Sequence, residues 1–386
     1  MIEFNVVVVG AGPSGLYFAY LLKKSRPHYR IRVLEQNSSD ATFGFGVVLA
    51  DRGLERLEAA DSESAAALRS HLHLNQDQVI HYNGQAVLVD RVGYGGAIGR
   101  LDLLQILQRL CAKVGVELVF NRRVEADGSL VAADLVVGAD GVNSYVRGSD
   151  PARFGTRIVR LTNHFAWYGT QARFERAGLS FKQYANGHFV GHYYPYSESM
   201  GTFVAECDDA TWRRLEFDAM SDVERQKLVE TAFRDELGGH PLIHNNSIWR
   251  QFPVIANDRW YVENRVLIGD ALHSAHFSIG SGTRIAMADS IGLWGAMLES
   301  SDVSEALARF QAIRAPIKSK LLDAARASYT WYEAFPQKLE GLTPLDFVYD
   351  FMMRTGRMGD DRLRNEHPKF MMQYEQQRRG SIALHP

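Results

Sequence analysis

The chain has 386 residues, of which 46% are hydrophobic and 23% are charged, so it is long enough for two or three domains with buried cores. Its formal net charge of −2 disfavours nucleic acid or an anionic membrane as the main partner. Two cysteines are too few for a disulfide framework or a cysteine-rich metal site, and the sequence contains no membrane-spanning run and no signal-peptide pattern. We therefore expect a cytoplasmic globular protein without a bound metal.

The first 35 residues follow the pattern of a βαβ unit. A β-branched hydrophobic run at 4–10 predicts a buried strand, residues 16–24 predict a helix with a basic end, and residues 30–35 predict a second strand. Pro27 marks the end of the helix before the second strand begins. This order predicts the beginning of a Rossmann-like α/β fold.

A glycine-rich turn connects the first predicted strand to the first helix. Gly10 allows a tight turn, Gly12 lets the backbone approach a pyrophosphate, and Gly15 allows the helix to pack closely on the strand. Glu35, at the end of the next strand, is placed to accept hydrogen bonds from ribose hydroxyl groups. Because a carboxylate disfavours a 2′-phosphate, the turn predicts FAD or NAD rather than NADP. An ordinary glycine turn is the alternative interpretation.

Later segments become rich in β-strand patterns and then in helical ones. Asn83-Gly84 within 79–89 predicts a hairpin, and the alternating aromatic segments of 157–207 predict an antiparallel sheet. The other predicted elements are helices at 51–60, 102–114, 221–236, 282–299 and 304–331, and strands at 116–120, 134–138 and 266–269. We expect a discontinuous nucleotide-binding domain (1–75, 99–155 and 260–330), a substrate domain with a mixed or antiparallel sheet (76–98 and 156–259) and a helical C-terminal segment (331–386).

Two further segments place an Asp next to a Gly after a predicted strand. They are LVVGADGVNSYVR, which contains Asp140, and RVLIGDALHSAHFSIGSGTRIAMADS, which contains Asp270. Carboxylates at strand ends lie where ligands bind in open α/β sheets. Gly280-Ser281-Gly282-Thr283 begins a predicted helix, so its N–H groups can point at an anionic ligand, or Ser281 or Thr283 can act as an ordinary N-cap.

These three motifs together resemble those of the group A flavoprotein monooxygenases, the family of 4-hydroxybenzoate hydroxylase. GxGxxG, DGxxSxxR and GDAxHxxxPxxGxG are matched at Gly10–Gly15, at Asp140–Arg147 and at Gly269–Gly282, with Phe277 in place of the usual proline. HFSIGSGT, TFGFGVVLAD, AWYGT and the tail MMRTGRMGDDRLRNEHPKFM are similar to the subgroup of salicylyl-CoA 5-hydroxylase, 2-aminobenzoyl-CoA monooxygenase and the violacein-pathway hydroxylase.

The resemblance implies an FAD-dependent hydroxylase that uses NAD(P)H and O₂, through a flavin C4a-hydroperoxide, to oxidise an electron-rich ring. Glu35 would hold the adenosine ribose, Asp270 the ribityl chain, and Arg100 and Asp140 the flavin, with Asp140 also serving the approach of the nicotinamide nucleotide. The expected cofactor-binding residues are Gly10, Gly12, Pro13, Ser14, Gly15, Glu35, Gln36, Gly46, Arg100, Asp140, Gly269, Asp270, Gly280, Ser281, Gly282 and Thr283. The resemblance also implies a monomer or homodimer.

The implied substrate is an aryl-CoA thioester of the salicylyl or aminobenzoyl type, and the alternative is a free indole or aromatic acid of a biosynthetic pathway. Either ring needs a flat hydrophobic slot with a few polar groups. Candidates from the predicted sheet are Trp167, Tyr168, His192, Tyr193, Tyr194 and Tyr196, with Tyr193 on the face opposite to His192, Tyr194 and Tyr196. The expected catalytic residues are His276, Phe277, Tyr194 and His192, with His276 as the best proton-transfer candidate; packing in the core is the alternative role.

Two other functions remain open. A flavin dehydrogenase would use the same nucleotide site without oxygen insertion, and a flavin-binding redox sensor would dock on a partner through the Met-rich tail. The WxWxxP segment of the similar flavin halogenases does not occur, which disfavours halogenation.

Overall fold

The computed structural model describes residues 4–125, 128, 130–245 and 248–383. Its strands are β1 (Asn5–Val9), β2 (Arg30–Leu34), β3 (Gly46–Ala50), β4 (His73–Asn75), β5 (Gln78–Tyr82), β6 (Gln85–Val89), β7 (Gly95–Gly99), β8 (Glu117–Val119), β9 (Leu135–Gly138), β10 (Thr156–Thr170), β11 (Ala177–Tyr184), β12 (Gly187–Pro195), β13 (Gly201–Cys207), β14 (Leu242–Ile243), β15 (Arg250–Asn257), β16 (Tyr261–Val262) and β17 (Arg265–Leu267).

The helices alternate with the strands in the first part of the chain and dominate the last part. They are α1 (Pro13–Ser25), α2 (Asp51–Ala60), α3 (Ser62–Arg69), α4 (Arg100–Val114), α5 (Tyr145–Gly148), α6 (Pro151–Phe154), α7 (Asp209–Arg214), α8 (Asp222–Ala232), α9 (Arg234–Leu237), α10 (Gly282–Glu299), α11 (Val303–Glu333), α12 (Phe335–Lys338), α13 (Pro344–Met353), α14 (Asp360–Glu366) and α15 (Pro368–Ala383). Short 3₁₀ helices lie at Phe217–Ala219, Gly269–Ala271 and Phe277–Ile279.

A six-stranded sheet carries the glycine-rich turn. Its order is β16-β17-β9-β1-β2-β8, and every pair is parallel except β16 with β17. Val6, Val7, Val8 and Val9 of β1 are all buried, as expected for a strand that is covered on both faces. The strands come from sequence-distant segments, which confirms the predicted Rossmann-like architecture.

A second, eight-stranded sheet is built from the middle of the chain together with β5 and β6. Its order is β14-β10-β13-β12-β11-β5-β6, with β15 also paired to β10. The central pairs are antiparallel and β5 pairs with β11 in parallel, so the predicted mixed sheet is confirmed. Asn83 and Gly84, with φ of 48° and 81°, form the predicted hairpin turn between β5 and β6.

The C-terminal helices pack against one end of this sheet. Side chains of α13 and α15 share a hydrophobic cluster with β5, β6 and β11, in which the Phe181 ring contacts those of Phe347 and Phe351. The predicted helical C-terminal segment is therefore present and covers part of the eight-stranded sheet. The domain boundaries given above stay a prediction.

Some predicted elements differ from the observed ones. α1 begins at Pro13 rather than at residue 16, because proline fits the first helical turn, where its missing N–H has no partner to lose. The helix predicted at 221–236 is divided into α8 and α9 at Phe233, whose backbone is not helical. β15 was not predicted, because its sequence, RQFPVIAN, contains a proline and alternates poorly.

Neither cysteine is paired: Cys111 and Cys207 are buried free thiols. No helix within the described ranges combines the length and hydrophobicity that crossing a bilayer requires. The described His, Cys, Asp and Glu side chains form no group of three that could hold a metal ion.

Candidate functional site

The three glycines of the first turn, Gly10, Gly12 and Gly15, differ in how much space the protein leaves for a side chain. A Cβ atom on Gly10, whose φ is 102°, would lie 2.5 Å from the Ala139 carbonyl oxygen, and one on Gly15 would lie 2.1 Å from the Gly10 oxygen. Packing therefore excludes side chains at both positions. A Cβ on Gly12 would meet its nearest neighbour, the Ala139 oxygen, only at 4.0 Å. The missing side chain of Gly12 instead keeps the backbone open to a ligand.

The three motifs meet at the N-terminus of α1. A Cβ on Gly269 would lie 2.7 Å from Ser14 Oγ, so the third motif packs directly on the first. Arg147 of the second motif donates from Nη1 to the Ala271 carbonyl oxygen at 2.9 Å, which joins the second motif to the third. Ser290 of α10 donates to the Ser14 carbonyl oxygen. These contacts bring three sequence-distant turns to one place.

The helix ends at this place are left open for an anion. α1 has no side-chain cap at Gly12 and no acidic residue in its first turn. α10 likewise lacks a side-chain cap, because the Ser281 hydroxyl donates to the Ile279 oxygen instead. Cβ atoms on Gly280 and Gly282 would meet nothing closer than 3.9 Å. Thr283 follows in the first turn of α10. Two uncapped helix N-termini are suited to bind negative groups.

Glu35 is held in position by the turn that it faces. Its carboxylate accepts hydrogen bonds from the Ala11 N–H at 2.8 Å and from the backbone and side chain of Asn37 at 2.9 and 2.7 Å. Gln36, which follows it, is exposed. Glu35 therefore lies beside the opening that Gly12 leaves.

Arg100 and Asp270 supply opposite charges inside the site. Arg100 begins α4, and its Nε is a buried donor with no hydrogen-bond partner among the described residues. Asp270 is exposed to solvent, yet the protein around it raises the pKa of its carboxyl group, an effect that the charge of Arg100 opposes. A buried donor without a protein partner is available to a bound ligand. A cofactor with hydroxyl and carbonyl oxygens fits this pair of residues.

Two other residues predicted to bind the cofactor have protein partners. Asp140 accepts from the Ser144 hydroxyl and from the N–H groups of Tyr145 and Val146, so it binds the first turn of α5, whose N-cap is Ser144. The Gly46 N–H donates to Thr202 Oγ1 at 2.7 Å, which fastens β3 to the eight-stranded sheet. Cofactor contacts of these two residues stay a prediction.

Aromatic side chains of the eight-stranded sheet cover the loop of the third motif. Phe165 and Trp167 of β10 lie with ring centres 4.7 and 6.0 Å from that of Phe277. Phe252 of β15 adds contacts to Phe165 and to the ring of His276, at 6.1 and 4.8 Å. These side chains form a hydrophobic aromatic wall beside α10. Phe165 and Phe252 were not among the predicted residues.

Strand alternation decides which predicted aromatic residues face this wall. Tyr193 packs in the opposite hydrophobic cluster against Phe203, as predicted. Tyr168 was predicted as a pocket candidate, but it faces the same cluster, where its hydroxyl accepts from Trp249 Nε1 at 3.0 Å. Tyr168 therefore takes the alternative role, packing in the core, because Trp167 occupies the other face of β10.

His192 of β12 belongs to a buried polar pair beside Phe277. Its Nε2 lies 3.0 Å from the carboxylate of Glu206, which is 1% exposed and also accepts from Asn163 at 2.8 Å. Burial raises the pKa of Glu206, but its bonds to His192 and Asn163 outweigh burial, and the pKa lies below its ordinary value. The His192 ring contacts Phe277 at 5.3 Å and stacks on Tyr332 at the same distance.

Glu206 was missed by the sequence analysis, although a signal was present. It is an acidic residue in the hydrophobic strand GTFVAEC, on the same face as Thr202 and Val204. A lone charge in a buried strand requires a partner, and the partner here is a histidine on the neighbouring strand.

His276 and Tyr194 have structural partners of their own. His276 is 4% exposed, its Nδ1 accepts from the Ser278 N–H at 3.3 Å, and burial lowers its pKa to about 4. It is therefore uncharged at neutral pH. The Tyr194 hydroxyl donates to the Gly46 oxygen at 2.8 Å, and burial raises its pKa to about 12. The catalytic roles of both residues stay predictions.

The C-terminal segment reaches the same loop through Arg354. Its guanidinium donates to the oxygen atoms of Ser278, Ser328 and Phe351 at 2.8–3.0 Å. Nothing in the Met- and Arg-rich tail sequence indicated this contact, since it depends on how α13 packs on the sheet.

Comparisons with known proteins agree with this geometry. A family model described as FAD binding domain matches residues 3–325. Salicyloyl-CoA 5-hydroxylase from Streptomyces sp is 37% identical over 361 residues, which cover 91% of this chain and 70% of that protein. Protodeoxyviolaceinate monooxygenase from Chromobacterium violaceum is 33% identical over 358 residues, which cover 91% of this chain and 94% of that protein.

The solved structures support the fold. The tetrameric form of 2-methyl-3-hydroxypyridine-5-carboxylic acid oxygenase is 20% identical and superposes with a TM-score of 0.67, covering 94% of this chain and 96% of that one. The solved structure confirms the predicted fold class, and the family model together with the two relatives confirms the predicted enzyme class and FAD cofactor. The chain belongs to the FAD binding domain family, within which it is an FAD-dependent aromatic monooxygenase.

Proposed function

We propose that this enzyme hydroxylates an aromatic ring that is bound as a CoA thioester of the salicylyl or aminobenzoyl type, with NAD(P)H as electron donor and O₂ as the oxygen source. The observation that carries the proposal is the aromatic wall of Phe165, Trp167 and Phe277, which lies beside the open N-terminus of α10. The 37% identity to salicyloyl-CoA 5-hydroxylase supports the thioester as substrate.

The cofactor would be held by the groups that the protein leaves open. The N-terminus of α1 at Gly12 would take the pyrophosphate, and Glu35 the adenosine ribose. Asp270 and Arg100 would bind the ribityl chain and the ring system, and the N-terminus of α10 would stabilise negative charge on the flavin. FAD supplies the electron transfer and the activation of oxygen.

The chain's own side chains would position the substrate and move a proton. The aromatic wall excludes water and holds the ring flat, so that one ring carbon faces the cofactor. Glu206, which is held ionised, accepts from Nε2–H of His192 and leaves the Nδ1 lone pair of His192 available. Nδ1 has no hydrogen-bond partner in the described part of the chain, so His192 is the residue we assign to accept the proton of a ring hydroxyl or amine.

A free indole or aromatic acid is the second candidate substrate. The 33% identity to protodeoxyviolaceinate monooxygenase, which spans 94% of that enzyme, favours it. The aromatic wall would accommodate either ring, because Phe165, Trp167 and Phe277 present hydrophobic ring surfaces.

The test uses the purified FAD-loaded enzyme. Salicylyl-CoA, 2-aminobenzoyl-CoA, the free acids and indole are each added with NADH or NADPH under ¹⁸O₂. We expect a thioester to accelerate NAD(P)H oxidation and to yield a product with one labelled oxygen atom. Acceleration by the free acids or indole alone would select the second candidate, whereas an unlabelled product would indicate a flavin dehydrogenase and overturn the proposal.

A further inference from the structure

Arg250 is a charged side chain at the aromatic wall that the proposed reaction leaves without a role. It begins β15, directly opposite Phe165 of β10, and its side chain is exposed. The guanidinium carbon lies 5.6 Å from the centre of the Phe165 ring, which is the distance of a cation–π contact. The Phe165 ring in turn contacts Phe277. Arg250 is therefore one aromatic ring away from the loop beside α10.

The N–H groups of the Arg250 side chain have no protein partner in the part of the chain that the structure describes. No ion pair and no hydrogen bond connects its side chain to any residue in 4–125, 128, 130–245 or 248–383. The surrounding protein lowers the pKa of the guanidinium, and no neighbouring carboxylate opposes that effect. Arg354, on the same site, instead donates to three oxygen atoms. The N–H donors of this guanidinium are thus available to a ligand beside a hydrophobic wall.

We propose that Arg250 binds the oxygen of the acyl group attached to the substrate ring, either a carboxylate or a thioester carbonyl. This inference rests on the proposed function, because it needs an aromatic acyl substrate on the wall. A guanidinium recognises a carboxylate with two parallel hydrogen bonds and a carbonyl with one or two. Held in this way, the acyl group would determine which ring carbon faces the cofactor.

Distance distinguishes an acyl oxygen from the phosphates of CoA. The guanidinium carbon lies 5.6 Å from the centre of the Phe165 ring, which lies 4.7 Å from that of Phe277. The guanidinium is therefore at most about 10 Å from the centre of the Phe277 ring. A substrate ring stacked on Phe277 would carry its acyl oxygen only two bonds away, which is within this range. An extended pantetheine arm has the length of about four residues, roughly 14 Å, which places the CoA phosphates farther away. Arg250 is therefore assigned to the acyl group.

The experiment measures binding to the FAD-loaded enzyme without NAD(P)H, from the change in flavin absorbance. The ligands are phenol, salicylate, salicylyl-pantetheine and salicylyl-CoA, and the variants are Arg250→Met and Arg250→Lys. We expect Arg250→Met to weaken the binding of salicylate roughly 10- to 100-fold and the binding of both thioesters about tenfold. The affinity for phenol should change less than threefold. Arg250→Lys should recover part of the affinity for salicylate.

Arg225→Met is the matched control. Arg225 stacks on Trp212 at 5.5 Å, nearly the distance of the Arg250 contact, but on the opposite face of the sheet. Its loss should leave the affinity for all four ligands within twofold of the wild-type values.

The outcomes separate the inference from the function on which it rests. Equal weakening of phenol and salicylate would show that Arg250 only supports the wall, and weakening of salicylyl-CoA but not of salicylyl-pantetheine would assign it to the CoA phosphates. Either result overturns the inference while the hydroxylase proposal stands. If none of the ligands binds to the wild-type enzyme, the proposed substrate class itself is wrong.

Discussion

The nucleotide side and the substrate side of the site are built by different parts of the chain. On the proposed nucleotide side, backbone groups are left open to a ligand: Gly12 and Gly282 stand where no packing requires glycine, and α1 and α10 begin without side-chain caps. On the substrate side, long side chains such as His192 and Glu206 meet across neighbouring strands. Backbone geometry is set by local sequence, whereas side-chain clusters depend on strand register. The two sides should therefore respond differently to substitution.

The largest effect is expected at a buried ionic cluster on the nucleotide side. Asp289 of α10 is fully buried and accepts from the Gly269 N–H, from Arg314 at 2.9 Å and from Lys318 at 2.6 Å. Asp289→Ala leaves two buried cations unpaired, which should lower the free energy of unfolding of the apoprotein by about 3–5 kcal/mol. Urea denaturation followed by circular dichroism measures it.

A control for this variant lies on the same helix. Glu299→Ala removes a solvent-exposed ion pair with Arg309 and should change the free energy of unfolding by less than about 1 kcal/mol. If Asp289→Ala lowered the free energy of unfolding as little as Glu299→Ala does, Asp289 would not be the centre of a stabilising ionic cluster that holds Gly269 in place.

Two glycine substitutions on the nucleotide side test whether each glycine is required for packing within the protein or for binding of the cofactor. Gly15→Ala forces a Cβ against the Gly10 oxygen and should destabilise the apoprotein by about 1–3 kcal/mol. Gly12→Ala, at a φ of −74°, should leave the apoprotein as stable as wild type but weaken FAD binding at least tenfold. Thermal unfolding of apoprotein and titration with FAD measure the two effects. Equal destabilisation by both variants would mean that Gly12 is also a packing glycine.

The substrate side should make the enzyme sensitive to acid. The pKa of His276 is lowered to about 4 by burial, so between pH 6.5 and 4 the unfolded chain binds more protons than the folded one and stability falls as the pH falls. From pH 7 to pH 5 this histidine should account for a loss on the order of 1–2 kcal/mol. His276→Asn should reduce that pH dependence in urea denaturation, and an unchanged slope would show that the ring is accessible to protons in the folded state.

The sequence predicted the glycine-rich turn in detail and the side-chain clusters of the substrate side only in outline. Gly10, Gly12, Gly15 and Glu35 lie at fixed offsets within one βαβ unit, so their spacing alone predicts how they meet. Glu206 meets His192 only because β12 and β13 pair in one register. Arg250 lies on β15, a strand that the pattern did not reveal. Side-chain clusters of this kind depend on pairings between distant segments, which local patterns do not specify.

The smallest effect is expected for Tyr194, which lies where the nucleotide side and the substrate side meet. Tyr194 was predicted to be catalytic, but its hydroxyl donates to the Gly46 oxygen and so connects β12 to β3. Tyr194→Phe should lower the free energy of unfolding by about 0.5–1.5 kcal/mol and leave kcat within threefold, because it removes one buried hydrogen bond. Tyr193→Phe is the control: its hydroxyl, on the opposite face of the same strand, has no hydrogen bond among the described residues, so neither quantity should change. A hundredfold loss of kcat in Tyr194→Phe at unchanged stability would instead make this hydroxyl part of the proton path, and the substrate side would then extend to β3.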